Sequence, residues 1–333
     1  MPEPLKLRIL IPVYNDWTSF YRLVREIDLA ISGLNVAADI VAIDDGSTSA
    51  PDPAALAPLQ TLRRVGLLRA FTNPGHQRAL AVGLAQTYKQ GGYDAVMMLD
   101  SDGEDRPEDI PRLIEAFRLQ RGGAVVAQRA ERSEGYMFGL FYKLYQFVFR
   151  CLTGKAIDFG NFCIVDAGML ERLVHSAGTW NHIAATIVQL GGPVHRVETR
   201  RGHRYDGRSC MNGIALVMHG LGAVSVFSAI ALTRILVGSL IAVGALLAGI
   251  LTVVGVRIFT DLAIPGWATN TVLLLSNMLV QLVIISGGAC LVLVSRRSAF
   301  QTVPAAGAAV LVKNETVLLE KARWDQQNIL AAS

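Results

Sequence analysis

Four short apolar runs stand out in the first half of the chain: residues 7–13 (LRILIPV), 39–43 (DIVAI), 94–99 (DAVMML) and 123–127 (GAVVA). Each is bounded by polar or turn residues and has the length of a buried strand. Between them, residues 17–33, 75–90 and 107–121 have the length and spacing of helices, with Pro107 suited to a first turn. Strands alternating with helices predict a mostly parallel sheet covered by helices on both faces. Ligands of such sheets bind beyond the carboxyl ends of the strands. Three polar clusters, Pro12–Asp16, Asp44–Thr48 and Asp100–Asp105, fall at three of those ends and are expected on one rim.

The last third follows another pattern. Residues 235–256 and 272–294 contain no charge, and about 20 apolar residues suffice for a helix to cross a bilayer core. The short linker 257–271, with Pro265, Gly266 and Trp267, suits an interfacial turn. Arg234 precedes the first span and Arg296–Arg297 follow the second, so the positive-inside rule puts both ends of the hairpin on the cytoplasmic face. Residues 211–233 are also uncharged, but Asn212, His219, Ser225, Ser228 and three glycines favour helices lying in the interface over a third crossing. The tail from Ser298 onward reads as loosely ordered, apart from an alternating piece at Ala309–Glu320.

Composition narrows the function classes. The net charge of +4 and the absence of a long basic run argue against nucleic acid. Four scattered cysteines offer neither a disulfide framework nor zinc spacing, which points to a reducing compartment. The apolar stretch after the N-terminus is too short for a signal-peptide core, so the first domain is expected to be cytoplasmic.

Four carboxylates crowd Asp100-Ser101-Asp102-Gly103-Glu104-Asp105. Like charges at this density call for a cation, and carboxylate oxygens suit Mg²⁺ or Mn²⁺; taken alone, the piece also reads as a solvated acidic turn. Asp44-Asp45-Gly46-Ser47 places acceptors where a base or ribose can donate, or is a plain Asp-Gly turn. Tyr14, at the end of the first strand, can pack against a base. Arg200, Arg201, His203, Arg204 and Arg208 form a basic segment just before the apolar third. It suits phosphate capture by Arg forks, or equally anionic headgroups. His76 as a base, His182 beside a sugar and the aromatics of 136–149 as a sugar platform are weaker readings than packing.

Taken in order, PVYND, IDDGST, NPGHQRAL, LDSDGEDRPEDI, DFGNF, RYDGRS and two spans, the chain from 7 to 294 resembles the inverting family 2 glycosyltransferases of GT-A fold. It is most similar to their polyprenyl-phosphate branch, which includes dolichyl-phosphate mannose synthases and bacterial undecaprenyl-phosphate sugar transferases. The resemblance implies an α/β fold of GT-A (Rossmann-like) type, followed by interfacial helices and a two-helix transmembrane hairpin. Its parts would be a cytoplasmic catalytic domain 1–210, interfacial helices 211–233, spans within 234–297 (about 235–256 and 272–294) and a cytoplasmic tail 298–333. It places the nucleotide on Pro12, Tyr14, Asp16, Ile43 and Asp45, with Ser101 beside it. It places the metal on Asp100, Asp102 and Glu104, the donor phosphates on Arg129, Arg204 and Arg208, and the acceptor side on Asp158. It departs from the pattern at Asp16 (usually Glu), Glu104 (usually Gln) and Cys210, where a Lys is missing whose phosphate contact Arg208 or Arg201 would have to make.

The implied reaction moves a sugar, with inversion and metal assistance, from a UDP- or GDP-sugar to a polyprenyl phosphate at the inner (cytoplasmic) membrane. Membrane lipids and a homo-oligomer, possibly a tetramer, are the further partners implied. Two alternatives remain open: transfer to a lipid hydroxyl, such as that of a diacylglycerol or ceramide, and a non-catalytic membrane module with a degenerate sugar-binding domain. A processive synthase is disfavoured, since the chain has no Q-x-x-R-W motif.

Overall fold

The computed structural model describes residues 3–56, 58–120, 122–129, 136–206, 213–260, 264, 266–298 and 301–321, with 129, 136–142, 213–216 and 296–298 described through the backbone alone. Two compact units emerge. One comprises residues 1–140, 157–226 and 302–333, the other 141–156 and 227–301.

The first unit is built on an eight-stranded sheet. Its strands are β1 (Leu5–Val13), β2 (Val36–Asp44), β3 (Arg64–Ala70), β4 (Ala95–Met98), β5 (Ala124–Arg129), β6 (Cys163–Asp166), β7 (Val194–Thr199) and β8 (Val312–Glu320). They lie in the order β7-β5-β6-β4-β1-β2-β3-β8. The pairs β1–β2, β1–β4, β2–β3 and β5–β7 are parallel. Strand β6 runs antiparallel to both β4 and β5, and β8 runs antiparallel to β3. Alternation along β1 sends Leu7, Ile9, Ile11 and Val13 to one face, where Phe20, Leu23 and Ile27 of α1 (Trp17–Ala30) and Leu113 and Ile114 of α3 (Ile110–Leu119) cover them. Leu10, Val41, Ile43 and Met98 fill the other face beneath α2 (His76–Gln90), α5 (Ala167–Val174) and α6 (Ile183–Leu190). The expected architecture, a mostly parallel sheet with helices on both faces, is therefore present.

The tail departs from its expected looseness. A helical turn at Pro304–Gly307 and a 3₁₀ turn at Ala308–Val310 lead into β8. Strand β8 is tied at both ends, by Phe71 N–H to the Leu311 carbonyl and by Lys321 N–H to the Arg63 carbonyl, each at 3.0 Å. Gln86 and Gln90 of α2 donate to the Glu315 carboxylate at 2.9 and 2.8 Å. The physical reason is the edge of β3, whose outward N–H and C=O groups need a partner. Helix α7 (Gly213–Val226) belongs to this unit, and Gln189 Nε2 donates to the Val226 carbonyl at its end (2.7 Å).

The second unit holds most of α4 (Tyr136–Thr153) and two 32-residue helices, α8 (Ser228–Phe259) and α9 (Trp267–Ser298). At about 1.5 Å per residue each is some 48 Å long, more than the roughly 30 Å bilayer core requires. They pack side by side in opposite directions, joined midway by the Ser239 and Ser286 hydroxyls at 2.7 Å. Arg234, in the second turn of α8, donates to the Cys151 carbonyl at 2.8 Å and closes the end of α4. Both spans are apolar yet largely uncovered by protein, the reverse of a core helix, and the chain is a membrane protein.

Candidate functional site

The carboxyl ends of β1 and β2 are knitted into one loop pair. Asp45 N–H donates to the Val13 carbonyl at 2.9 Å. Asn15 adopts φ 54°, a conformation its short amide tolerates. Its N–H donates to Ser47 Oγ and its Oδ1 accepts from Thr48 N–H, both at 2.9 Å. The paired aspartates then diverge. Asp44 is fully buried, bound to Arg69 Nε and Ser47 N–H at 2.7 Å each, and so is structural. Asp45 turns to the start of α2 and accepts the Gly75 N–H at 3.0 Å. Burial pushes its carboxyl up to about 6, partly opposed by that N–H and by His76. Gly46 (φ +78°) fits because a Cβ there would lie 2.7 Å from Asn73 N. Tyr14 is exposed, Asp16 caps α1 through Ser19 N–H (3.3 Å), and Pro12 and Ile43 are buried.

The acidic loop after β4 is clamped by the basic segment. Gly202 N–H donates to the Glu104 carbonyl and Tyr205 N–H to the Asp102 carbonyl, both at 2.9 Å. Arg201 Nη2 reaches Glu104 at 2.9 Å, while Arg204 bonds Asp102 and lies 3.8 Å from Glu104. The close approach requires glycine on both sides. A Cβ on Gly103 (φ +83°) would sit 2.6 Å from the Tyr205 ring, and one on Gly202 would sit 2.2 Å from the Gly103 carbonyl. Asp100 meets His76 Nε2 at 3.3 Å, and its own N–H donates to buried Asp105 (3.1 Å). Burial, then the neighbouring Asp100 and Glu104 charges, hold the Asp102 carboxyl above its ordinary range despite Arg204. For His76 burial works downward, but Asp100 outweighs it and the imidazole is raised.

The first three rim clusters thus become one system. Asp45 touches the N-terminus of α2, and the first residue of α2 touches Asp100. Asn161 Nδ2 lies 2.8 Å from His76 Nε2 and Gln77 Nε2 bonds Asn161 Oδ1 at 3.1 Å, which brings the DFGNF segment to the same place. Asp158 itself is held by Arg196 (2.9 and 3.3 Å) and Gln128 (2.8 Å). Arg129 ends β5 next to Gln128; its side chain and all of Arg208 lie outside the described residues. Sequence reasoning missed Arg196 as the fork on Asp158 and Asn161 as the partner of His76. Both left a trace: Asn161 stands within the DFGNF motif, and Arg196 is the lone arginine in a short β-like run.

Among the described residues no three His, Cys, Asp or Glu side chains converge to cage an ion. The donor set still fits a nucleotide-type divalent metal. Such ions take one or two protein carboxylates and complete their shell with phosphate oxygens and water. Asp100 and Asp102 are of that kind, and the Asp100 and Glu104 charges add to burial in raising the Asp102 carboxyl.

Known proteins supply the context. The family model for glycosyl transferase family 2 matches residues 8–177. Undecaprenyl-phosphate 4-deoxy-4-formamido-L-arabinose transferase of Salmonella choleraesuis (strain SC-B67) is 27% identical over 255 residues, 70% of this chain and 76% of that one. The same-named protein of Salmonella paratyphi B matches to the same extent. Among solved structures, glucosyl-3-phosphoglycerate synthase from Mycobacterium tuberculosis, with Mn²⁺, UDP-glucose and phosphoglyceric acid, gives a TM-score of 0.49 at 16% identity, covering 69% of this chain and 79% of that chain. Mannosyl-3-phosphoglycerate synthase from Rubrobacter xylanophilus gives 0.48 at 14%, covering 67% and 72%.

Proposed function

We propose, from the premise that the chain belongs to glycosyl transferase family 2 and is a membrane glycosyltransferase, that it transfers a sugar from a nucleotide-sugar to a polyprenyl phosphate with inversion. The observation that carries the reading is the joining of three strand-end loops through Asp45–Gly75 and His76–Asp100 into one polar rim. The names of the similar Salmonella proteins favour undecaprenyl phosphate as acceptor.

In this reading Tyr14 stacks on the base, Asp45 accepts from the base or ribose, and Asp16 and Ser101 line the same pocket; buried Pro12 and Ile43 shape its floor. A Mg²⁺ or Mn²⁺ held by Asp100, Asp102 and Glu104 would neutralise the departing diphosphate. Arg201 and Arg204, already beside those carboxylates, share the diphosphate charge with Arg129 and Arg208. Arg201 takes the place of the missing lysine. Asp158 stands with Arg196 on the acceptor side.

Asp158 also separates the two acceptor chemistries. A lipid hydroxyl requires a base to take its proton, whereas a phosphate monoester, with a second pKa of about 6, is already mostly dianionic at neutral pH. A carboxylate whose oxygens are engaged by a two-toothed arginine fork and a glutamine amide is suited to positioning an acceptor. The geometry therefore favours the phosphate acceptor. The active rim is assigned to the cytoplasmic side of the inner membrane, with 1–210 as the catalytic part, 211–233 interfacial and 298–333 on the same side.

The test is a panel of UDP- and GDP-sugars offered to the detergent-purified full chain with undecaprenyl phosphate. Transfer to the phosphate that is lost on EDTA treatment, is restored by Mg²⁺ or Mn²⁺ and vanishes in Asp102→Asn is the expected result. Transfer to diacylglycerol instead, or full activity in Asp102→Asn, overturns it.

A further inference from the structure

Helix α7 is seated on the first unit along one stripe. His219, Ala223 and Val226 recur at steps of four and three, which places them on one side of the helix. Ala223 and Val226 are buried, whereas Val217, Met218 and Leu221, on the other sides, are exposed. The seat is close. A Cβ on Gly222 would lie 3.1 Å from the Asn181 carbonyl, and one on Gly178 would lie 3.3 Å from Val226 Cγ1. At the head of the stripe His219 Nε2 meets His182 Nε2 at 3.1 Å, with ring centroids 4.5 Å apart.

Only one of those two nitrogens can donate, and the neighbours decide which. Buried His182 caps α6: its Nδ1 accepts the Ala185 N–H at 3.2 Å, so that nitrogen carries no proton. A neutral His182 then keeps its proton on Nε2 and donates it to His219 Nε2. The proton of His219 is left on Nδ1, a nitrogen with no polar partner among the described residues, on a side chain that is exposed. Burial and the adjoining His219 ring press the His182 imidazole down to about 3. Desolvation of its seated edge and the His76 charge lower the His219 imidazole as well, while Asp100 opposes them. His219 is thus a neutral donor fixed in one tautomer by the ring behind it.

The seat is joined to the rim. Gln77 Oε1 accepts the Ile183 N–H beside His182 at 2.8 Å, and the same amide reaches Asn161 of the DFGNF segment, whose own amide meets His76. Helix α7 therefore stands between an exposed apolar side and the acceptor side of the rim, with His219 at the boundary. We infer that His219 donates through Nδ1–H to the phosphate of the lipid acceptor, and that His182 is its positioning residue. An amphiphile whose chain follows the apolar side of α7 and whose head turns to the rim passes this donor. A neutral imidazole suits the post, because it binds a largely dianionic phosphate without protonating the oxygen that attacks. The inference rests on the reading of the acceptor as a polyprenyl phosphate.

Kinetics of the detergent-purified full chain, with undecaprenyl phosphate and the nucleotide-sugar varied in turn, test it. His219→Phe keeps the bulk of the ring and removes the donor. It is expected to raise KM for undecaprenyl phosphate about tenfold, the worth of one hydrogen bond to a charged group, and to leave KM for the nucleotide-sugar unchanged. His219→Asn, which restores an N–H near the place of Nδ1, recovers part of that loss. His182→Asn retains a side-chain cap on α6 but releases the His219 ring, and raises the same KM; a purely structural role would lower Tm without splitting the two KM values. Isothermal titration with farnesyl phosphate, a short soluble probe, gives the same loss of about tenfold in His219→Phe without turnover. Wild-type KM for the lipid in His219→Phe, or a rise in KM for the nucleotide-sugar alone, overturns this inference and leaves the proposed function standing. A wild-type protein that does not transfer to undecaprenyl phosphate overturns both.

Discussion

Asp45 is the residue whose ionisation is most exposed to experiment. Its carboxyl is raised to about 6 by burial, and only the ionised form offers full acceptor capacity to a nucleotide. Donor binding should therefore be intact above pH 6 and fall as pH drops below it, approaching tenfold in kcat/KM per pH unit. Asp45→Asn should flatten that limb at a lower plateau. A pH–rate profile at saturating acceptor and subsaturating donor measures both. Stability runs the other way. Between about 4 and 6 the unfolded chain loses the proton that the folded chain keeps, so folding weakens as pH rises through that window and levels off above it. Asp44, its neighbour in sequence, is turned inward instead and meets Arg69 on β3. The IDDGS string shows two aspartates at a strand end, and no local rule says that one turns inward to an arginine twenty-five residues on. The carboxylates of the acidic loop were legible as a set; their partners Arg201 and Arg204, a hundred residues away, were not.

Among the elements, the clamp between the acidic loop and residues 201–205 depends on two glycines. Gly103→Ala forces a side chain into the left-handed region, at roughly 1–2 kcal/mol, and drives its Cβ into the Tyr205 ring. The expected outcome is a loss of transfer of at least about tenfold with far-UV circular dichroism unchanged, since the sheet core lies elsewhere; wild-type rates would show that the clamp is dispensable. Strand β8 yields another prediction. Leu318 packs onto the core face beneath α1, so Leu318→Asp should cost on the order of 1–3 kcal/mol, seen as a lower Tm of the purified protein, while Lys313→Ala on its exposed side should leave Tm in place. The four strands with continuous apolar runs were legible at once. Strand β6, CIVD, is only four residues long and owes its antiparallel course to neighbours on both sides. Strand β3 is masked by its flanking arginines, and β8 is settled by an edge that no window of its own residues reveals.

At the scale of the whole molecule, two uncovered apolar helices should hold the protein in membranes through alkaline carbonate washing and release it only to detergent. With the hairpin's turn on the far side, Ile264→Cys should react with an impermeant maleimide added outside intact spheroplasts, and Ala305→Cys only after lysis; the opposite pattern would invert the assigned topology. The two spans were legible because hydropathy over twenty residues needs no tertiary knowledge. Their true reach was less so: α8 begins at Ser228, seven residues before the uncharged run, and takes Arg234 into its second turn, where α4 supplies the carbonyl that the charge requires.

The second unit is inserted within the first: the chain leaves the sheet after α7 and completes it only with β8. Translation therefore delivers this edge strand of the sheet after both bilayer helices. At roughly 5–20 residues per second the bare rim of β3 waits on the order of ten to fifty seconds for its cover. During that interval the nascent enzyme is an unfinished sheet fastened to a translocon, vulnerable to chaperones, proteases and the strands of sister chains. A terminal deletion that spares every catalytic side chain would make that vulnerability permanent. A water-soluble version of the enzyme would require excising the hairpin from the interior and splicing the last strand back.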